Sequence, residues 1–126
     1  MVRIALYSPS LKLQQLLEPA LGPGFQLVSQ LDDNRCKQML FDGEADVLLL
    51  DLASEPSNVD QQVSLFDEIN AAGIPTVILT DDASRATALD LVTRGAYGFC
   101  RNPPALRELK ALIHRAHEHG VMKGEL

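Results

Sequence analysis

Asp51 ends the apolar run Asp46-Val47-Leu48-Leu49-Leu50-Asp51, and this carboxylate is the residue best placed to do chemistry. Such a run reads as a buried parallel strand, and a carboxylate at its C-terminal end stands at the mouth of an open α/β sheet. Two further strand ends converge there. Thr76-Val77-Ile78-Leu79-Thr80 finishes on a hydroxyl, and Phe99-Cys100-Arg101 leads into Asn102-Pro103. The first strand, Val2-Arg3-Ile4-Ala5-Leu6-Tyr7, runs into Ser8-Pro9-Ser10 with no acidic residue at its end. The mouth therefore holds one carboxylate, Asp51, with the hydroxyls of Ser8 and Thr80 and the amide of Asn102. A hard dication takes anionic oxygen ligands, and one aspartate with a serine hydroxyl is a poor set. No metal is expected, and Asp51 would be the ligand if one bound.

The elements that must position these residues alternate strand and helix along the whole chain. Strands are predicted at about Arg3 to Tyr7, Phe25 to Ser29, up to Asp51, from Pro75 to Thr80, and at Tyr97 to Cys100. Between them lie helical stripes. Ser10 is a candidate N-cap for a helix carrying Leu13, Leu16, Leu17 and Leu21, which Pro19 should distort or end early. Asp33 or Asn34 can cap a second helix that stops near Gly43. Val59, Val63, Phe66 and Ile69 form the stripe of the third, which Gly73 ends. Asp82 or Ser84 opens the fourth, with Ala88, Leu91 and Val92, ending at Gly95. The fifth starts at Pro104 and buries Leu106, Leu109, Leu112, Ile113 and Ala116. Five βα units with short connections predict a flavodoxin-like (βα)5 doubly wound parallel sheet of strand order 2-1-3-4-5. Its switch point lies between the first and third strands, above which Ser8, Pro9, Asp51 and Thr80 open, with Asn102 at the edge.

The chain has 126 residues, 46% of them hydrophobic, which suits one compact domain rather than a disordered chain. A formal net charge of -6 argues against direct nucleic-acid contact, which needs a basic face. No apolar stretch approaches the roughly 20 residues that span a bilayer, so no membrane role is expected. Cys36 and Cys100 lack metal-ligand spacing and read as reduced core thiols, which makes a cytoplasmic location the expectation. His114, His117 and His119 share one helix, and without a third ligand type such as a cysteine they read as a solvated helix end.

With these residues in this order, the chain from about Val2 to His117 resembles the receiver domain of two-component response regulators. Asp51 falls at that family's phosphoacceptor aspartate, Thr80 at its switch hydroxyl and Phe99 at its switch aromatic. Gly95-Ala96 followed by Gly98-Phe99 resembles the family's approach to its fifth strand, and Asn102-Pro103 stands in place of its Lys-Pro. The departures are as informative. The family's acidic pair, which helps hold Mg²⁺, is replaced by Ser8 and Pro9. Its phosphoryl-binding lysine is replaced by Asn102, whose amide can donate a hydrogen bond but brings no charge. Phosphoryl transfer depends on cations that neutralise the moving group, and both cationic supports are weakened together.

The resemblance therefore implies a degenerate receiver, a regulatory module and not an enzyme, without a cofactor. Mg²⁺ would enter only if Asp51 works as a phosphoacceptor for a histidine kinase. It implies partners that are proteins: a kinase or other signalling protein, a second copy through the fourth helix, fifth strand and fifth helix, and an output domain in a longer chain. That face carries Arg85, Asp90, Arg94, Arg107, Lys110 and Arg115. Residues 1–119 form the receiver-like domain in this reading. Residues 120–126 begin a connecting segment similar to that leading to the ATPase module of sigma-54-dependent, nitrogen-regulator-type transcription regulators. Each singled-out residue also has a plainer role open to it. Asp51 could cap a turn, Thr80 could cap the loop containing Asp81 and Asp82, and Asn102 could satisfy a turn before Pro103. A flavin-phosphate loop at Ser8-Pro9-Ser10 would want glycines that are absent.

Overall fold

The computed structural model describes residues 2–8, 11–30, 32–52, 59–101 and 104–124, with side chains described for all of these except 11, 30 and 121–124. Pro9, Asn102 and Pro103, the expected N-cap Ser10 and the loop after Leu52 lie outside the described residues. Five parallel strands, β1 (Val2–Tyr7), β2 (Phe25–Gln30), β3 (Val47–Asp51), β4 (Thr76–Thr80) and β5 (Gly98–Arg101), pair in the order β2-β1-β3-β4-β5. The intervening helices are α1 (Leu11–Leu21), α2 (Asp33–Phe41), α3 (Val59–Ala71), α4 (Arg85–Arg94) and α5 (Leu106–Gly124). This is the predicted doubly wound sheet.

Both faces of the sheet are covered, which is why β3 and β4 are apolar at every interior position instead of alternating. Ala5, Leu48, Leu50 and Ile78 point to one layer, formed with Cys36, Leu40, Leu65, Phe66, Ile69, Ala88 and Leu91 of α2, α3 and α4. Ile4, Leu6, Val47, Leu49, Val77 and Leu79 point to the other, packed by Leu13, Leu17 and Leu21 of α1 and Leu109, Ile113 and Ala116 of α5. The period-2 geometry of each strand thus feeds two cores at once.

Three local expectations need correction. α1 runs through Pro19 to Leu21 instead of stopping early. The proline forfeits one N–H bond to the preceding turn, and Leu17 and Leu21 on either side of it are buried at 0% and 2% exposure, which outweighs that loss. The cap of α2 is Asp32, one residue before the expected Asp33, with its carboxylate accepting from the Asn34 backbone N–H at 2.9 Å. α5 starts at Leu106, two residues after the expected Pro104. Ser84 opens α4 as expected, and Gly95 ends it with φ at 131°. There a Cβ would lie 2.8 Å from the Asn70 side chain, whose amide caps the Arg94 carbonyl at 3.1 Å. Only glycine fits that crossing of α3 and α4.

The entry to β3 is fastened by charge. Arg3 donates from its backbone N–H to Asp46 Oδ2 at 2.9 Å and from its guanidinium to Oδ1 at 3.1 Å and Oδ2 at 3.3 Å. Burial pushes the Asp46 carboxyl up, but the hydrogen bonds and charge of Arg3 outweigh it and hold the group below its ordinary value. A carboxyl lowered in the folded chain adds stability above its unfolded pKa, and that contribution is lost as pH falls through the folded value. Urea midpoints of the parent should therefore fall as pH drops below about 4, with a smaller fall in Asp46→Asn. Identical acid limbs in the two proteins would refute this assignment.

Candidate functional site

The carboxyl ends of β1, β3 and β4 form the mouth where the chemistry-bearing residues were expected. Asp51, the last residue of β3, is fully buried. Ser8, just beyond β1 and 2% exposed, donates its hydroxyl to Asp51 Oδ2 at 2.7 Å. The hydroxyl supplies a hydrogen bond but no charge against which a cation or a phosphoryl group could be balanced. These two predicted residues are brought into direct contact.

Thr80 ends β4 at 4% exposure, and its hydroxyl engages the start of α4. Its Oγ1 lies 2.6 Å from Ser84 Oγ and 3.1 Å from the Asp81 carbonyl. Ser84 in turn donates to Asp81 Oδ1 from its backbone N–H at 2.9 Å and from its hydroxyl at 2.8 Å, and Asp81 N–H donates to Ser84 Oγ at 3.1 Å. The hydrogen bonds from Ser84 hold the Asp81 carboxyl below its ordinary value. In this geometry the Thr80 hydroxyl is bonded within the turn that opens α4.

Phe99 on β5 is 36% exposed and shares with Thr80, Asp81, Asp82, Arg85 and Arg101 a small cleft of about 50 Å³. Arg101, next to the position expected of a lysine, turns its guanidinium to Asp82 at 3.0 Å, with both side chains largely in water. Such an exposed pair contributes little to stability.

Other candidates separate. His114 pairs with Glu118 at 3.3 Å along α5, while His119 packs against the Tyr97 ring at 5.6 Å between centroids. Among the described residues no group of three or more His, Cys, Asp or Glu could hold a metal ion. Cys36 is fully buried, and burial with the nearby Asp33 pushes its thiol up to about 12, so it stays neutral. Cys100 is half-buried, raised chiefly by burial and then by Glu108. Tyr7 donates its phenol to Asp33, and burial followed by that carboxylate raises its pKa. No described helix is long and apolar enough to cross a membrane.

Gln62 is the residue that reading of the site from strand ends missed. It sits on the buried face of α3 at 1% exposure, and its Nε2 donates to the Asp51 carbonyl at 2.7 Å. Spacing could have found it, because it lies three residues after Val59 and four before Phe66, a polar member of an otherwise apolar stripe.

Comparison with protein-family models and with curated proteins gives no match. Solved structures do match in shape. The N-terminal signal receiver domain of a two-component response regulator from Bacteroides fragilis superposes with a TM-score of 0.80 at 18% identity, over 93% of this chain and 97% of that one. A response regulator receiver domain protein from Clostridium thermocellum gives 0.79 at 17% identity, over 97% and 98%. NtrX from Brucella abortus, in complex with ADP, gives 0.82 at 24% identity, with 99% of this chain covering 29% of that one. At these identities the likeness is one of architecture, and it agrees with the strand order and the two-layered core: the chain has the fold of response-regulator receiver domains.

Proposed function

We propose that this chain is an atypical receiver module of a response regulator, signalling by protein–protein interaction and not by Mg²⁺-dependent phosphorylation of Asp51. The observation that carries this reading is the buried Ser8 to Asp51 hydrogen bond at 2.7 Å, an uncharged hydroxyl where a second carboxylate would be needed to hold a cation. Pro9 and Asn102, uncharged at the two other supporting positions, point the same way. The engagement of Thr80 with Ser84 agrees with it.

The surface formed by α4, β5 and α5 is the proposed contact, and a second copy of the chain is its first partner. Leu89 and Phe99 are exposed on elements that also carry Arg85, Asp90, Arg107, Lys110 and Arg115. Arg94 is already tied to Asp90 at 3.2 Å and to Asp67 at 3.4 Å. α5 runs unbroken to Gly124, which supports residues 120–126 as the start of a helical connection to an output domain. A histidine kinase or another signalling protein would supply the input, in the cytoplasm, and a sigma-54-type transcription regulator is the proposed setting.

Beryllofluoride with millimolar Mg²⁺, followed through backbone amide shifts, tests the reading. The expected result is no saturable change at Asp51 or Thr80. Saturable shifts spreading to Phe99 would overturn it in favour of a phosphoacceptor on Asp51 served by a histidine kinase and controlling transcription.

A further inference from the structure

β2 forms one edge of the sheet and pairs with β1 alone. Val2 N–H donates to the Gly24 carbonyl at 3.1 Å, and the register sets Val2 beside Phe25, Ile4 beside Leu27 and Leu6 beside Ser29. In a parallel ladder this alternation gives the even-numbered residues of β2 to β1 and turns the main-chain groups of Phe25, Leu27 and Ser29 outward. The Phe25 N–H is taken by the Gly22 carbonyl at 3.3 Å. The N–H and C=O of Leu27 and Ser29, and the C=O of Phe25, have no partner among the described residues. Such edges are usually blunted by a charge, a proline, a bulge or shortness. β5, the opposite edge, has four residues and ends on Arg101. β2 has six, Phe25-Gln26-Leu27-Val28-Ser29-Gln30, with neither charge nor proline.

We infer that this edge pairs with the β2 edge of a second copy of the chain, antiparallel, joining two five-stranded sheets into one. About a two-fold axis at Leu27, each Leu27 exchanges both of its main-chain bonds with its counterpart. Each Ser29 N–H then donates to the other copy's Phe25 carbonyl. No like charges are opposed along the strands, because β2 carries none. Charge at the strand ends selects the direction. Asp32, exposed just beyond β2, uses only Oδ1 on the Asn34 N–H. At the start of β2, Lys110 Nζ lies 4.0 Å from where a Cβ on Gly22 would stand, and Lys110 has no ion pair among the described residues. Antiparallel pairing brings the end of each β2 to the start of the other, so Asp32 of each copy approaches Lys110 of the other. Parallel pairing would set Asp32 against Asp32 and Lys110 against Lys110. The contact lies at the opposite edge of the sheet from β5 and does not depend on the state of Asp51.

The test is sedimentation equilibrium of the chain, with amide hydrogen exchange followed by NMR. Four main-chain bonds make a small and weak contact, so concentrations up to about 1 mM are needed. The expected result is a reversible dimer in which exchange at Leu27 and Ser29 slows as concentration rises. Gln26 and Val28, already bonded to β1, should change little. Ser29→Pro removes an outward N–H while sparing the bonds to β1, and should abolish the dimer. Lys110→Glu acts at both symmetric ends and should raise the dissociation constant about tenfold. A chain that stays monomeric over this range would overturn the inference. So would a dimer that survives Ser29→Pro, or one whose Leu27 and Ser29 amides exchange as fast as in the monomer, since its contact lies elsewhere. If Ser29→Pro does not fold, the exchange pattern of the parent and the response to Lys110→Glu decide.

Discussion

Ser8→Asp should destabilise the chain at neutral pH by about 3–4 kcal/mol, because two carboxylates sharing a buried site displace a pKa by roughly two to three units at about 1.4 kcal/mol each. Ser8 is 2% exposed and Asp51 fully buried, so solvent can screen little of the repulsion. The sign follows from linkage. The new pair contains an acid raised in the folded state, so the loss is full at pH 7 and fades as the pH falls through that raised value. Mg²⁺ should offset little of it in the single variant. With Pro9→Asp and Asn102→Lys added, the site regains anionic ligands and a cation, and millimolar Mg²⁺ should bind saturably and restore stability. Urea unfolding with and without Mg²⁺ measures both effects. A triple variant that ignores Mg²⁺ would show that these three positions are not what keeps the site from holding a cation.

Phe66→Ala should be the most damaging single truncation in the core, by about 3–5 kcal/mol, since a buried aromatic leaves both lost transfer energy and a cavity. Phe66 is fully buried in the layer between α3 and the sheet, among Leu65, Ile69 and the inward residues of β3 and β4. Against a total stability of about 5–15 kcal/mol, that is a large fraction. For a domain of this size the midpoint of thermal unfolding should drop by roughly 10–20 °C. A drop of only a few degrees would mean that α3 collapses into the space, and that the layer is less tightly constrained than its burial implies.

The fold was legible because its signals are redundant. Each of β3 and β4 is apolar at every interior position, which is what two covered faces demand, and glycines at 73 and 95 stop α3 and α4 where the next strand must start. Pro19 misled because the burial of Leu17 and Leu21 outweighs the one bond that a proline forfeits. At the site, the meeting of Ser8 with Asp51 follows from strand order alone, since β1 and β3 are neighbours. The partners of Thr80 and of the Asp51 carbonyl do not. Ser84 becomes a partner only through the turn after β4, and Gln62 only through the angle at which α3 crosses the sheet. Spacing puts Gln62 on the buried face of α3 but does not name its partner.

The hydroxyl cluster at the end of β4 also settles where its hydrogens go. A serine or threonine hydroxyl has one hydrogen. Ser84 directs its own to the charged Asp81 Oδ1, the strongest acceptor within reach, so towards Thr80 it can only accept. Thr80 must then donate its single hydrogen to Ser84 or to the Asp81 carbonyl. In either case the donor that would meet an oxyanion at Asp51 is already committed. An anion arriving there gains the Thr80 hydrogen only if the first turn of α4 gives up a hydrogen bond, at a cost of about 1 kcal/mol. Donation to such a guest and a closed start to α4 are therefore mutually exclusive states of one proton.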